Sequence, residues 1–324
     1  MTIKTLITAS LLMTAIGMSA VKKTYAQDYK NQITLQEDND MYINSDFDRY
    51  YTAGTILTFT HAMLKPDSSS KLAKKIMEYQ FGQQIYNPKT AHVKNISQLD
   101  RPFTAYLFAG VSMNLLYKNE DALKLTAQLG TIGPNALGRQ IQAGFHKLFG
   151  LYPAGPWETY QLNNEFGINI NADYRKLLYR TAGSWFDLAF NPEVRLGNTF
   201  TYANVGLPFR LGKFGRFYES AITNSRVSSS SSGASKYELY FFAEPEVSYV
   251  AYNATIQGGL FRSDKGPYTF GIRHFLYIQT LGVQFTSARW SLSYTAYIRG
   301  REVKSTAGID PYGSVGITYR FTKI

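Results

Sequence analysis

Apolar and polar residues alternate with a period of two along much of this chain. In segment 52–60, Ala53, Thr55, Leu57 and Phe59 stand on one parity, and Thr52, Gly54, Ile56, Thr58 and Thr60 on the other. Segment 76–86 sets Met77, Tyr79, Phe81 and Ile85 against Glu78, Gln80, Gly82 and Gln84. Leu123, Leu125, Ala127 and Leu129 alternate with Lys124, Thr126 and Gln128. Near the end, Val315, Ile317 and Tyr319 alternate with Gly316, Thr318 and Arg320. A strand projects successive side chains to opposite faces, so this pattern predicts half-buried strands. Twelve are expected, at 31–39, 51–64, 76–86, 103–117, 123–131, 161–172, 177–190, 194–211, 237–252, 268–286, 290–301 and 312–322.

An even count suits a closed bacterial barrel. A secreted β-sandwich is the alternative, since its strands alternate too. Length separates the two: several segments reach the 9–11 residues or so needed to cross a tilted bilayer. The expected fold is therefore all-β, a transmembrane antiparallel up-and-down β-barrel of about 12 strands. Two stretches depart from it. A short helical insertion is expected around 134–150, where Leu137, Ile141, Phe145 and Leu148 recur at helical spacing and Gly150 marks the stop. Segment 216–236 contains a run of serines and reads as a mobile surface loop.

The first residues say where the chain goes. Lys4 precedes a mostly apolar stretch from Leu6 to Val21, and Thr24-Tyr25-Ala26 offers small residues before a cut at Gln27. Residues 1–26 read as a secretory signal peptide, with an uncleaved anchor as the alternative, and 27–324 as one barrel domain. Composition agrees with an exported barrel. Only 18% of residues are charged, while the chain carries 25 Tyr, 21 Phe and 3 Trp. The polar character thus comes from uncharged side chains, as a wall with lipid on one side requires. The absence of Cys excludes disulfides, thiolate metal sites and thiol nucleophiles. The formal charge of +11 has no long basic run behind it. With export, this argues against nucleic acid.

Without Cys, a hydrolase working near neutral pH would turn to one of four histidines, His61, His92, His146 and His274. His61 and His274 read as wall residues and His92 lies in a polar loop. His146 sits on the one predicted helix, where a packing role and a catalytic role both remain open. Glu37-Asp38-Asn39-Asp40 closes the first strand with oxygen ligands of the kind Ca²⁺ prefers, and a solvated strand end is the plainer reading. Thr52 shares its parity with Gly54, Thr58 and Thr60, which would point it into a barrel lumen near the end of the first strand.

These residues carry a resemblance to the outer-membrane lipid A 3′-O-deacylases. It rests on Asn39-Asp40, Asp48-Arg49-Tyr50-Tyr51-Thr52-Ala53-Gly54, Gln84-Ile85-Tyr86-Asn87-Pro88, Asp100-Arg101-Pro102-Phe103-Thr104-Ala105-Tyr106, Ile132-Gly133-Pro134, and Gln140-Ile141-Gln142 leading to His146. The motifs come in family order across 32–164. The resemblance implies a twelve-stranded barrel that hydrolyses a 3′-linked acyl or acyloxyacyl ester of lipid A in the outer leaflet. It implies His146 as the base activating water, with Asn39, Asp40 and Thr52 around it. It also implies Ca²⁺ as cofactor, held by Asp40 and Asn39. Lys94 is the candidate for a lipid A phosphate. The chain departs from the family at 151–153, where a carboxylate is expected and none stands. The implied partners are lipid A or lipopolysaccharide and the outer membrane, with the barrel acting as a monomer and no nucleic acid involved. An outer-membrane phospholipase and a non-enzymatic pore or adhesin are the rival readings.

Overall fold

The computed structural model describes residues 29–43, 49–63, 67, 69–90, 93, 95–150, 155–228 and 236–322. The expected leader, His92 and Lys94 lie outside these residues. The strands are β1 (Asn31–Asn39), β2 (Tyr50–Ala62), β3 (Leu72–Asn87), β4 (Thr104–Tyr117), β5 (Ala122–Ile132), β6 (Glu165–Arg180) and β7 (Phe186–Gly197). They continue with β8 (Phe200–Gly206), β9 (Phe209–Lys213), β10 (Glu238–Asn253), β11 (Phe275–Thr286), β12 (Trp290–Arg299) and β13 (Asp310–Phe321). Neighbours pair antiparallel, β1 meets β13 and β10 meets β11, so the sheet closes on itself. β8 and β9 both lie between β7 and β10, split where Leu207 and Pro208 interrupt pairing. The barrel therefore has twelve strand positions, as the alternation predicts.

Burial follows the pleat with the sense a membrane demands. On β6, Phe166, Ile168 and Ile170 are exposed while Asn169 between them is buried. On β1, Ile33 and Leu35 face out while Gln32 and Asp38 are buried inside. A closed barrel satisfies every strand N–H and C=O internally, so this apolar exterior can sit in hydrocarbon.

Between 161 and 211 the expected strand limits are displaced. The turns fall at 181–185 and 198–199, not near 173–176 and 191–193. Asp173, Arg175 and Asn191 look like turn residues, yet they form a polar ladder. Arg175 Nε donates to Asn191 Oδ1 at 2.8 Å, and Asn191 Nδ2 to Asp173 Oδ2 at 3.4 Å. Pro192 pairs in register with Val205. The count of twelve holds because only the limits between strands are displaced.

The expected surface loop at 216–236 also differs. Its described part folds against the inner side of the barrel's end. Phe214, Phe217 and Val227 are buried, and Asn224 Nδ2 donates to Glu78 Oε1 at 3.2 Å. Arg210 meets Asp187 twice, at 2.6 and 3.1 Å, and donates to Ser220 Oγ at 2.9 Å. Two apolar anchors within the loop, Phe214 just before it and the bonded Ser220 hydroxyl outweigh the polar composition. At the other end the Arg101 guanidinium donates to Glu302 at 2.8 Å and to Thr255 Oγ1 at 2.8 Å. It lies 4.5 Å from the centre of the Tyr86 ring. Both ends of the lumen are thus crossed by buried side chains. The turns at 118–121, 181–185 and 287–289 mark the periplasmic end, since periplasmic turns are the short ones. The opposite, outer end carries the helical insertion.

Candidate active site

Asp40 follows β1 in a 3-10 turn (Asp40–Tyr42) that Asn39 caps, its Oδ1 accepting from Met41 N at 2.9 Å. This turn takes Asp40 out of the strand alternation. Its Oδ2 accepts from the Arg49 amide at 2.9 Å and from Thr52 Oγ1 at 3.2 Å. Asp40 and Thr52 are thus hydrogen-bonded at the outer end, with Asn39 next to Asp40 as the cap of its turn.

Thr52 arrives there by a route that alternation cannot show. The β2–β3 register slips between Tyr51 and Ala53, so Thr52 is the extra residue of a bulge. Tyr51 takes the lumenal position that parity assigns to Thr52. Its hydroxyl donates to Asp38 at 2.7 Å over Gly54, which has no side chain to block the ring. The expectation of a lumen-facing Thr52 is thus corrected: its hydroxyl serves Asp40. Tyr50, just before the bulge, has φ of 56°, a conformation uncommon for a residue with a side chain. Its hydroxyl holds the turn in place, donating to Asp100 Oδ2 at 3.0 Å and accepting from Gly308 N at 2.7 Å.

The predicted helix forms as α1 (Gly138–Phe149), stopped by Gly150 at φ 67°, whose N–H bonds the His146 carbonyl. It lies on the outside of the wall. Gln83, on the outward parity of β3, donates to Ala136 O at 2.5 Å. A Cβ on Gly138 would stand 2.5 Å from that of Ala105, so only glycine permits this approach. The face turned to the wall is the polar one. Gly138, Gln142 and His146 follow at intervals of four, and Gln142 and His146 are 4% and 3% exposed. Leu137, Ile141, Phe145 and Leu148 point away and are exposed. A stripe with this orientation suits acyl chains as its surroundings and not a protein core.

A second short helix, α2 (Trp157–Tyr160), pins α1 to the barrel. Trp157 is fully buried against Phe103, ring centres 5.4 Å apart. Its Nε1 donates to Gln142 Oε1 at 2.7 Å, and Arg139 pairs with Glu158. The strand registers relate the two halves of the site. Asn39 stands opposite Ala53, and Ala53 opposite Ile85. Ala53 packs on the cluster of Ile85, Ala105, Ala136 and Trp157 beneath α1. His146 and the Asp40 cluster therefore share the outer end and the outer side of one stretch of wall. Of the other histidines, His61 Nδ1 lies 2.7 Å from Asn31 Oδ1 and His274 Nδ1 2.8 Å from Val250 O, both in structural settings.

A family model described as "Outer membrane protein LpxR" matches residues 6–321. The chain belongs to the LpxR family. It is accordingly a protein of the bacterial outer membrane. The structure of LpxR from Salmonella typhimurium superposes with a TM-score of 0.70 at 22% identity, covering 90% of this chain and 100% of that one. That likeness bears out the barrel fold. Two further structures are more distant. The beta domain of the Bordetella autotransporter Brka gives 0.45 at 8% identity, covering 91% of this chain and 100% of that one. The KdgM porin gives 0.40 at 6%, covering 90% and 99%. No curated protein sequence matches the chain.

In this LpxR-family chain the donor set fits a hard divalent cation in kind. A buried carboxylate, Asp40, stands beside the amide oxygen of Asn39, both oxygen ligands. Among the described residues no group of three acidic or histidine side chains gathers to hold a metal. Backbone, water or substrate oxygens would have to complete the shell. Gln142 and Trp157 were not singled out by sequence as functional. The interval of four between Gln142 and His146 was the available signal, but a polar helix position says nothing of a distant indole.

Proposed function

We propose that the protein is a lipid A deacylase that hydrolyses a 3′-linked acyl or acyloxyacyl ester in the outer leaflet. The observation that carries this reading is a buried histidine on the wall-facing side of a helix whose other face is apolar and exposed. Such a site opens toward lipid and not toward the lumen. His146 takes a proton from water, and the hydroxide equivalent attacks the ester carbonyl. His146 lies in the last turn of α1, where the helix dipole favours the positive charge it acquires. The same imidazolium then protonates the departing sugar alkoxide. Asp40 and Asn39 are the proposed holders of Ca²⁺, which when bound polarises the carbonyl. Thr52 and the Arg49 amide keep the Asp40 carboxylate in one orientation. Lys94 remains the proposed contact for a lipid A phosphate. All these residues come from one chain, so a monomer suffices.

The test is direct. Express His146→Ala, confirm a heat-modifiable barrel, and read lipid A by mass spectrometry. Loss of the deacylated species is expected; unchanged deacylation removes His146 from the mechanism. Release of fatty acid from phospholipid but not from lipid A would favour the phospholipase reading.

A further inference from the structure

Inside the barrel, against β7, β8, β10 and β12, lies a cavity of about 260 Å³. That is below the usual size of a drug-sized ligand pocket, so its occupant is small. Its lining extends to Arg273, an exposed residue of the outer connection between β10 and β11, so it is reached from the outer end. Elsewhere in the lumen Arg101, Arg175 and Arg299 each meet a carboxylate. Arg195, which lines the cavity, pairs with none among the described residues. Its guanidinium stands 5.7 Å from the centre of the Phe200 ring and 5.5 Å from that of Tyr202, and its buried Nε meets no acceptor. Glu193 is already engaged, accepting from Tyr202 Oη at 2.9 Å and from Asn204 Nδ2 at 3.2 Å. That bond turns Asn204 Oδ1 the other way, where it is buried without a partner. Glu246 also lines the cavity and is in no ion pair among the described residues.

The strand registers order these groups along the lumen. Arg195 is opposite Tyr202, and Glu246 is opposite Gly206, with Asn204 between those two residues on β8. Alternate residues of a strand are about 6.7 Å apart. The guanidinium, the amide oxygen and the carboxylate thus succeed one another from the outer end inward. An unpaired cation, an acceptor and an unpaired anion complement a molecule with the opposite order of charge. We infer that the lumen binds a small zwitterion of the amino-acid class, its carboxylate on Arg195 and its ammonium on Asn204 Oδ1 and Glu246. A guanidinium matches a carboxylate through two parallel N–H···O bonds, and an ammonium donates to acceptors alone. Glu193 and Glu246 would repel a dianion such as phosphate. A ligand held by β7 and β10 also spans β8, the short strand that ends at the break in pairing. The site lies on the lumen side of the wall, so it stands apart from the deacylase reading.

The experiment is isothermal titration of the folded barrel in detergent micelles at pH 7 with L-alanine, propionate, ethylamine and glucose. L-alanine should bind saturably, about tenfold or more tighter than propionate or ethylamine, because each of these lacks one charged end. It should also raise the temperature at which heat-modifiable migration is lost. Arg195→Met removes the guanidinium at similar length, and Glu246→Gln removes the charge at the same shape. Each should weaken L-alanine by about 10–100-fold, as loss of a charge-assisted hydrogen bond does. Arg195→Lys keeps the charge without the fork and should fall between. Heat-modifiable migration confirms that the variants fold, and their action on lipid A should equal that of wild type. No binding of L-alanine to wild type overturns the inference. Equal binding of propionate, marking a site for anions, overturns it too, as does tighter binding of glucose, marking a site for polyols. Full affinity for L-alanine in folded Arg195→Met or Glu246→Gln also overturns it. Should a variant fail to fold, the four probes on wild type still decide. Failure of the deacylase reading would show in lipid A and leave these titrations unchanged.

Discussion

Asp38 and Asp40 are two residues apart and both buried, but they serve opposite sides of the wall. Asp38 faces the lumen, where Tyr51 Oη at 2.7 Å and Gln36 Nε2 at 2.9 Å donate to it. Asp40 has left the pleat and is held by the Arg49 amide and Thr52. Two lumenal carboxylates each lie between a pair of arginines. Glu302 sits between Arg101 and Arg299 at 2.8 and 2.6 Å, and Asp187 between Arg210 and Arg180 at 2.6 and 2.9 Å. On the other side, Asp40 is held by a hydroxyl and a backbone amide, with no cation among those two donors. A buried polar network that satisfies itself holds strands together. The comparison therefore sets carboxylates locked between arginines, which tie strands together, against one held only in orientation.

The sharpest break between the two sides is His146→Ala against Arg210→Ala. The first should cost about 10²–10⁴ in rate, the usual worth of a positioned base, and leave the unfolding midpoint in place. The second should do the reverse. Arg210 makes a bidentate contact with Asp187 and lies 4.2 Å from the centre of the Phe214 ring. Removing it leaves the buried Asp187 to Arg180 alone and takes its two bonds to Asp187 away, at about 1.5–3 kcal/mol. Heat-modifiable migration across a temperature series would register that loss. Deacylation measured below the new midpoint should stay near wild type. A rate loss in folded Arg210→Ala as large as that in His146→Ala would erase the division.

A smaller effect comes from Glu302, in the outer connection between β12 and β13. Burial opposes its ionisation, but Arg299 and Arg101 outweigh burial and hold its pKa below the ordinary value. A depressed folded pKa contributes stability that is present above the unfolded pKa, about 4.3, and is lost as pH falls through the folded value. Glu302→Gln should therefore be destabilised at neutral pH, with the gap to wild type closing in acid below about pH 4. Unfolding midpoints of the two proteins at pH 7 and pH 3.5 measure this. A gap that widens in acid would show that the pair does not hold this end closed.

How much of this could be read from the chain follows from which interactions are local. Period-two alternation is a property of single strands, so the twelve positions were legible, as were α1 and its stop at Gly150. Turn placement between 161 and 211 was not, because Asp173, Arg175 and Pro192 look alike in a turn and in a lumen-facing strand. The inward folding of 214–228 depends on Asp187, Glu78 and Glu238, all distant in sequence. Asn39, Asp40, Thr52 and His146 were named as types in an order. The bulge that delivers Thr52 to Asp40 is a one-residue slip against β3, invisible within β2 alone. The orientation of Gln142 depends on an indole 15 residues away.

That bulge allows the finest test of the comparison, because it sends adjacent residues to opposite sides. Tyr51 donates to Asp38 inside, and Thr52 donates to Asp40 outside. Each contact is one hydroxyl to one carboxylate, worth about 1.5–3 kcal/mol because the acceptor is charged. Thr52→Val keeps the shape and removes the hydroxyl. Asp40 keeps the Arg49 amide, so its carboxylate should gain freedom without leaving the site. A rate loss of about tenfold is expected, equivalent to about 1.4 kcal/mol, with Thr52→Ser close to wild type. Tyr51→Phe deletes the matching bond on the lumen side. It should lower the unfolding midpoint and leave kcat within about twofold, since Asp38 touches nothing in the proposed site. If Tyr51→Phe costs as much rate as Thr52→Val, the lumenal face of β2 takes part in the chemistry, and the wall does not separate the two roles.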